Sequence, residues 1–213
     1  WKNLTLQNVY GAEPYTLEGI MNWLNEYGEK IKPFVCDTRR FMKKAQAEGK
    51  SILFEAQLGS LRDLDNGIHP FTTSSNTIAS YAPVGSGLTD AKVDRIVGVV
   101  KAYSSCVGEG PFTCEWFGKE ADELRDAGGE YGAKTGRPRR VGPIDIVATR
   151  YGVEIQGATE IALTKLDVLN YMDKIPVCTK YIVNGEETED FPFPVLLKDA
   201  KPVFEYMDGW KCD

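Results

Sequence analysis

Ile161-Ala162-Leu163-Thr164-Lys165-Leu166-Asp167 decides how the chain folds: a brief apolar run reads as a buried strand that ends at once in a polar turn. Upstream, Ile144, Val147, Ala148, Tyr151 and Ile155 share one face at helical spacing, and Pro143 suits the first position of that helix. Downstream, residues 177–183 read as a further strand, closed by Asn184-Gly185, a strong hairpin signal. Helices and strands in mixed order predict the α/β class, a mixed sheet with flanking helices.

Working outward, Leu17, Ile20, Met21, Leu24 and Tyr27 recur at helical spacing behind Thr16 as cap. A second helix follows Asp37 and ends at Gly49. Residues 51–55 read as a buried strand leading into a glycine-containing loop, the kind of place where open α/β sheets gather ligands. Residues 65–88 are loop-like and rich in hydroxyls, with Thr72-Thr73-Ser74-Ser75-Asn76-Thr77 at their centre. Such a run cradles a phosphate or is a solvated turn cluster, and local sequence leaves both open. Thr89 and Asp90 start a helix through Val93, Ile96 and Val97, residues 99–107 form a β-type run, and residues 121–127 a short helix. No repeat, low-complexity tract or linker interrupts the chain, so residues 1–213 are expected to form a single α/β domain.

The 213 residues suffice for a sizeable core, and a net charge of -6 disfavours nucleic acid and anionic membranes as partners. No apolar run reaches the length of a membrane span. The five cysteines are odd in number and none are paired at metal-ligand spacing, which points to a reduced, cytoplasmic setting. His69 is the only histidine, which excludes a multi-histidine metal site and leaves a Ser-His-Asp triad without support. It is read as structural. The chain opens at Trp1, so a piece of something longer is expected.

Against that acidic background, residues 132–140, Gly-Ala-Lys-Thr-Gly-Arg-Pro-Arg-Arg, concentrate four cations in a glycine- and proline-marked loop. Arginine grips carboxylate or phosphate through paired hydrogen bonds, so the loop suits an anion. A solvated basic turn and a nucleic-acid patch are the other readings. Thirty residues on, Asp167 stands where a carboxylate can accept two hydrogen bonds from guanine, from its ring N–H and its exocyclic amine. Adenine lacks that donor pair. The Lys165 stem can lie along a purine with its ammonium in solvent. A strand end with a turn aspartate is the plain alternative. A guanine reader needs a phosphate grip, and no P-loop is present: Gly118-Lys119 is followed by glutamate and lacks the upstream glycine.

With these stretches together, the chain resembles adenylosuccinate synthetase. The matching runs are residues 73–77, 85–87, 101–104, 107–112, 132–140 and 163–169, in order and at matching spacing. The resemblance implies the P-loop-like fold of that family and a ligase of purine (AMP) biosynthesis, joining IMP to L-aspartate with GTP and Mg2+, as a cytoplasmic homodimer. It implies that Thr73 holds the IMP phosphate, that Val107 and Gly108 contact the nucleoside, and that Arg137 reaches both aspartate and the IMP ribose. Ala133, Lys134, Thr135, Gly136, Arg137, Pro138 and Arg139 would close over aspartate. Arg139, Lys165, Leu166 and Asp167 would bind GTP. Two positions depart from the family pattern. Its IMP-contacting glutamine falls on Leu58, leaving Gln57 one residue early, and a one-residue shift in extended chain reverses a side chain's direction. Lys134 stands where threonine is frequent. The phosphate loop, the catalytic Asp and His and the magnesium ligands are implied to lie outside this stretch. No catalytic residue is therefore expected within it, and the 213 residues alone are expected to be inactive. The alternative is a non-catalytic nucleotide-binding module that keeps the fold.

Overall fold

The computed structural model describes residues 1–211, in two compact units, Trp1–Ile52 and Leu53–Asp213. The first is helical. α1 (Lys2–Tyr10) arises where the sequence shows no clear period. α2 (Leu17–Ile31) begins as expected, with Thr16 Oγ1 accepting the Gly19 amide at 3.0 Å. α3 (Thr38–Ala47) begins with Asp37 accepting the Arg40 amide at 3.0 Å. Both side chains satisfy a first-turn N–H that has no helical partner.

In the second unit, α4 (Tyr81–Ser86), β1 (Val97–Lys101), β2 (Tyr103–Cys106), α5 (Gly118–Gly128), β3 (Arg140–Asp145), α6 (Ile146–Gln156), β4 (Glu160–Thr164), β5 (Lys174–Val183), β6 (Glu186–Thr188) and β7 (Lys201–Asp208) follow in order. β1 and β4 pair in parallel, Val97 to Lys101 against Glu160 to Thr164. A second, mixed sheet runs β2-β3-β5-β6, with β7 antiparallel along β5. The expected α/β class with a mixed sheet and flanking helices is what forms.

Two clusters make the core, on opposite faces of β5. Ile175 and Val177 belong with Tyr103, Leu124 of α5 and Val141. Cys178 belongs with Val147 of α6. Strict alternation would return Tyr181 to the first face. A bulge between Cys178 and Lys180 adds one residue, and Tyr181 and Val183 join Cys178 instead.

Several expected elements form differently. Pro143 lies inside β3 and α6 begins at Ile146, because Asp145 Oδ1 caps it on the Ala148 amide at 3.0 Å. The proline stands opposite Tyr103 at the end of the β2 ladder, and the β5 ladder starts only at Ile144, so it lies at the margin of both pairings. Residues 51–55 form no strand, and Leu53 is 93% exposed. Residues 89–96 form no helix and lead straight into β1. β4 forms where expected, but Ile161 and Leu163 are half exposed rather than buried. No helix among the described residues is long and apolar enough to cross a membrane.

Candidate functional site

β1 and β4 end level, at Lys101 and Thr164. Thr164 ties them off: its carbonyl accepts the Ala102 amide at 2.8 Å and its hydroxyl donates to the Val100 carbonyl at 3.1 Å. The chain then turns through Lys165, a non-glycine residue in the left-handed region at φ 62°. Such a conformation is costly and persists only where surrounding contacts hold it. Here Lys165 Nζ donates to the Gly128 carbonyl at 3.2 Å, and Trp210 Nε1 donates to the Leu166 carbonyl at 3.0 Å. The Lys165 ammonium is thus anchored, where sequence suggested it free in solvent. Leu166 and Asp167 are exposed, and among the described residues the Asp167 carboxylate has no hydrogen-bond or ion-pair partner.

The basic loop is a closed excursion between Tyr131 and Pro138, which form an isolated bridge. Gly132 donates to the Arg137 carbonyl at 2.9 Å and Gly136 to the Gly132 carbonyl at 2.8 Å, while Thr135 Oγ1 accepts the Arg137 amide at 3.4 Å. The four cations divide into two kinds. Lys134 and Arg137 are exposed, and no described residue pairs with them. Arg139 and Arg140 are tied inward. Arg140 forms a two-pronged pair with Glu115, at 2.8 and 2.5 Å. It also donates to the Gly108 and Gly110 carbonyls, at 3.1 and 2.8 Å. It is a scaffold, not a free anion grip.

A residue without any distinguishing signal in the sequence completes that scaffold. Arg62 donates to the Val107 and Glu109 carbonyls, at 3.1 and 2.9 Å, and to Phe71 at 2.6 Å. Two guanidinium groups therefore hold four successive carbonyls, from Val107 to Gly110. The Arg62 carbonyl accepts the Thr73 amide at 2.8 Å. Arg62 thus ties Thr73 to Val107, and Arg140 holds the adjoining Gly108. Gln57 stays apart, exposed and without a described partner. Beside it, Leu58 has φ 82° and Gly59 φ 86°, so the extended-chain alternation assumed for this stretch does not apply.

Beneath the loop, Glu130 is 1% exposed and takes three donors. Lys101 Nζ and Tyr103 OH reach Oε1 at 2.6 and 2.5 Å, and Arg139 Nη1 reaches Oε2 at 2.9 Å. In the sequence Glu130 is an acid four residues ahead of Lys134, with nothing to rank it above its neighbours. Burial alone would raise its pKa, but the hydrogen bonds from Lys101, Tyr103 and Arg139, with the Lys101 charge, outweigh it and hold it below the usual 4.5. A depressed native pKa stabilises the fold above the unfolded value, and that contribution is lost as pH falls below 4.5 through the native value. In urea titrations between about pH 5 and 3, Glu130→Gln should therefore lose less stability with acid than the parent does. Equal acid sensitivity would place that sensitivity in other carboxylates.

One titratable cluster lies apart. Cys114, Asp145 and Cys178 are buried within 4.8 Å of one another. Asp145 Oδ2 already accepts Tyr181 OH at 2.5 Å and the Cys114 thiol at 3.1 Å, and a hydrogen bond with Cys178, then burial and the Asp145 charge, push the Cys114 pKa far up. The Cys178 thiol donates instead to the Lys180 carbonyl at 3.3 Å, so each group of the cluster is spent on core packing.

The protein-family model for adenylosuccinate synthetase matches residues 1–213. The chain is 45% identical over 210 residues to adenylosuccinate synthetase of Caldanaerobacter subterraneus subsp. tengcongensis, covering 98% of this chain and 49% of that protein. It is 45% identical over 213 residues to that of Bifidobacterium adolescentis, covering 100% and 50%. A solved structure of fully ligated adenylosuccinate synthetase from Plasmodium falciparum superposes with a TM-score of 0.87 at 34% identity, over 98% of this chain and 50% of that one. The chain spans about half the length of the curated relatives it matches.

Proposed function

The chain belongs to the adenylosuccinate synthetase family, and from that premise we propose that it forms the substrate-binding part of a ligase that joins IMP to L-aspartate at the expense of GTP, in AMP synthesis. Asp167 carries the reading. It is an exposed carboxylate without a described partner, held at a strand end by the left-handed Lys165, whose ammonium bonds the Gly128 carbonyl four residues ahead of the basic loop. Asp167 accepts the guanine ring N–H and amine, with Lys165 and Leu166 lining the base. The loop from Ala133 to Arg139 closes on aspartate, Lys134 and Arg137 supplying separate positive charges for a dicarboxylate. Arg139 lies between that substrate and GTP. Thr73 holds the IMP phosphate, Val107 and Gly108 contact its nucleoside, Arg137 reaches its ribose, and Gln57 is the candidate for the remaining IMP contact.

In the reaction, the GTP γ-phosphoryl passes to the 6-oxygen of IMP and the aspartate amine displaces phosphate, giving adenylosuccinate, GDP and phosphate. These residues bind and orient; no proton transfer is assigned to them. Magnesium would neutralise phosphate charge in such a transfer, but the described residues do not fit it. Glu130 is committed to three donors, and the one metal-like cluster is two thiols and a saturated carboxylate, a soft and closed set unsuited to a hard cation. No step is assigned through the ion here. A homodimer in the cytoplasm completes the proposal. The alternative, a non-catalytic nucleotide-binding module, is supported by none of the comparisons.

The test is a coupled assay for adenylosuccinate using the protein at its full encoded length, with IMP, aspartate and magnesium GTP omitted in turn. Product requiring all three is expected. Absence of product with the full set, from folded protein, would overturn the reading.

A further inference from the structure

We infer that Glu130 is a positioning residue, which sets the Arg139 guanidinium against the ligand anion that this arginine meets. The inference rests on the role proposed above for Arg139. Glu130 holds that residue twice: its carboxylate takes Arg139 Nη1 at 2.9 Å, and its backbone carbonyl takes the Arg139 amide at 2.9 Å. The carboxylate is itself fixed. Lys101, at the end of β1, and Tyr103, at the start of β2, both bond its other oxygen. The Glu130 amide donates to the Arg125 carbonyl at 2.9 Å, and Arg125 Nη1 donates back to the Arg139 carbonyl at 3.4 Å. The base of the basic loop is thereby tied to the end of α5.

The charge count shows what this arrangement is for. Two cations share one carboxylate, so the cluster keeps one positive charge in excess. Arg139 is tethered through a single nitrogen, and its Nε is buried with no acceptor among the described residues. A guanidinium has five N–H donors, and a buried one left unpaired is costly. Arg139 is thus held in place with donors to spare. Lys101 also protects the carboxylate. If Arg139 turns toward an anion, Lys101 still neutralises Glu130, and no unpaired charge is left buried. The Lys165 ammonium on Gly128, two residues before Glu130, brings the proposed guanine reader onto the same segment.

The experiment is a double-mutant cycle in steady-state kinetics on the protein at its full encoded length. Glu130→Gln keeps the shape and removes the charge that orients Arg139. It should raise KM for GTP and for aspartate about tenfold, the cost of one charge-assisted hydrogen bond. In an Arg139→Ala background the same change should alter either KM less than about twofold, because the group it acts through is gone. Glu130→Asp, which keeps the charge, should restore part of the loss, and it serves the cycle if Glu130→Gln does not fold. Effects that multiply in the double variant, with an active parent, would overturn the positioning role alone. A folded parent without turnover would overturn both this inference and the proposed function.

Discussion

Asp167→Asn is expected to lower kcat/KM for GTP by about 100-fold or more while leaving thermal stability unchanged. Each hydrogen bond from guanine to a carboxylate contributes about 1.5–3 kcal/mol, and two are at stake. Asparagine keeps one acceptor but turns an amide N–H toward a guanine N–H, so one pairing is lost and a donor is opposed to a donor. ITP, which lacks the exocyclic amine, should already be the poorer substrate of the parent and should lose less on the substitution. The fold should not notice, because the Asp167 side chain is exposed and has no described partner. An unchanged preference for GTP over ATP would remove Asp167 from base recognition.

Asp145→Ala is expected to cost about 3–5 kcal/mol of folding stability, read as a lower urea midpoint at constant slope. The carboxylate does two jobs in a buried place. Oδ1 caps α6 on the Ala148 amide, and loss of such a cap costs roughly 1 kcal/mol. Oδ2 receives Tyr181 OH and the Cys114 thiol, and alanine strands both donors at about 1–3 kcal/mol each. Asp145→Asn retains one acceptor, which can serve the Ala148 amide or the two buried donors but not both, so it should fall between parent and alanine. A change below about 1 kcal/mol for alanine would mean that water replaces the carboxylate, and that this part of the core is open.

Much of the fold was legible because its cues are local. Thr16 and Asp37 announce their helices, Asn184-Gly185 its hairpin, and residues 164–167 follow a strand as read. Two of the errors share one cause, competition between local signals settled by tertiary pairing. Pro143 and Asp145 both mark helix starts, and pairing with Tyr103 across β2 drew the proline into a strand. Thr89-Asp90 resembles a cap, yet the residues after it lead to the parallel partner of β4. Arg62, Arg140 and Glu130 could not be ranked from sequence at all. Their roles are set by carbonyls and cations 9 to 47 residues away in the chain, and a lone arginine carries no sign of whether its partner is a ligand or a backbone.

The arginine pair on the Val107–Gly110 carbonyls also bears on when the protein becomes competent to bind. Arg62 reaches Glu109 across 47 residues, and Arg140 reaches Gly108 across 32. Contacts of such long sequence separation pay a loop-closure cost before they return any stabilisation, so they form late. A chain with most of its helices and hairpins in place would still have an unshaped 107–110 turn. With Val107 and Gly108 in the nucleoside role proposed above, nucleoside affinity would then report a late step of assembly, and a partly folded molecule would not sequester substrate.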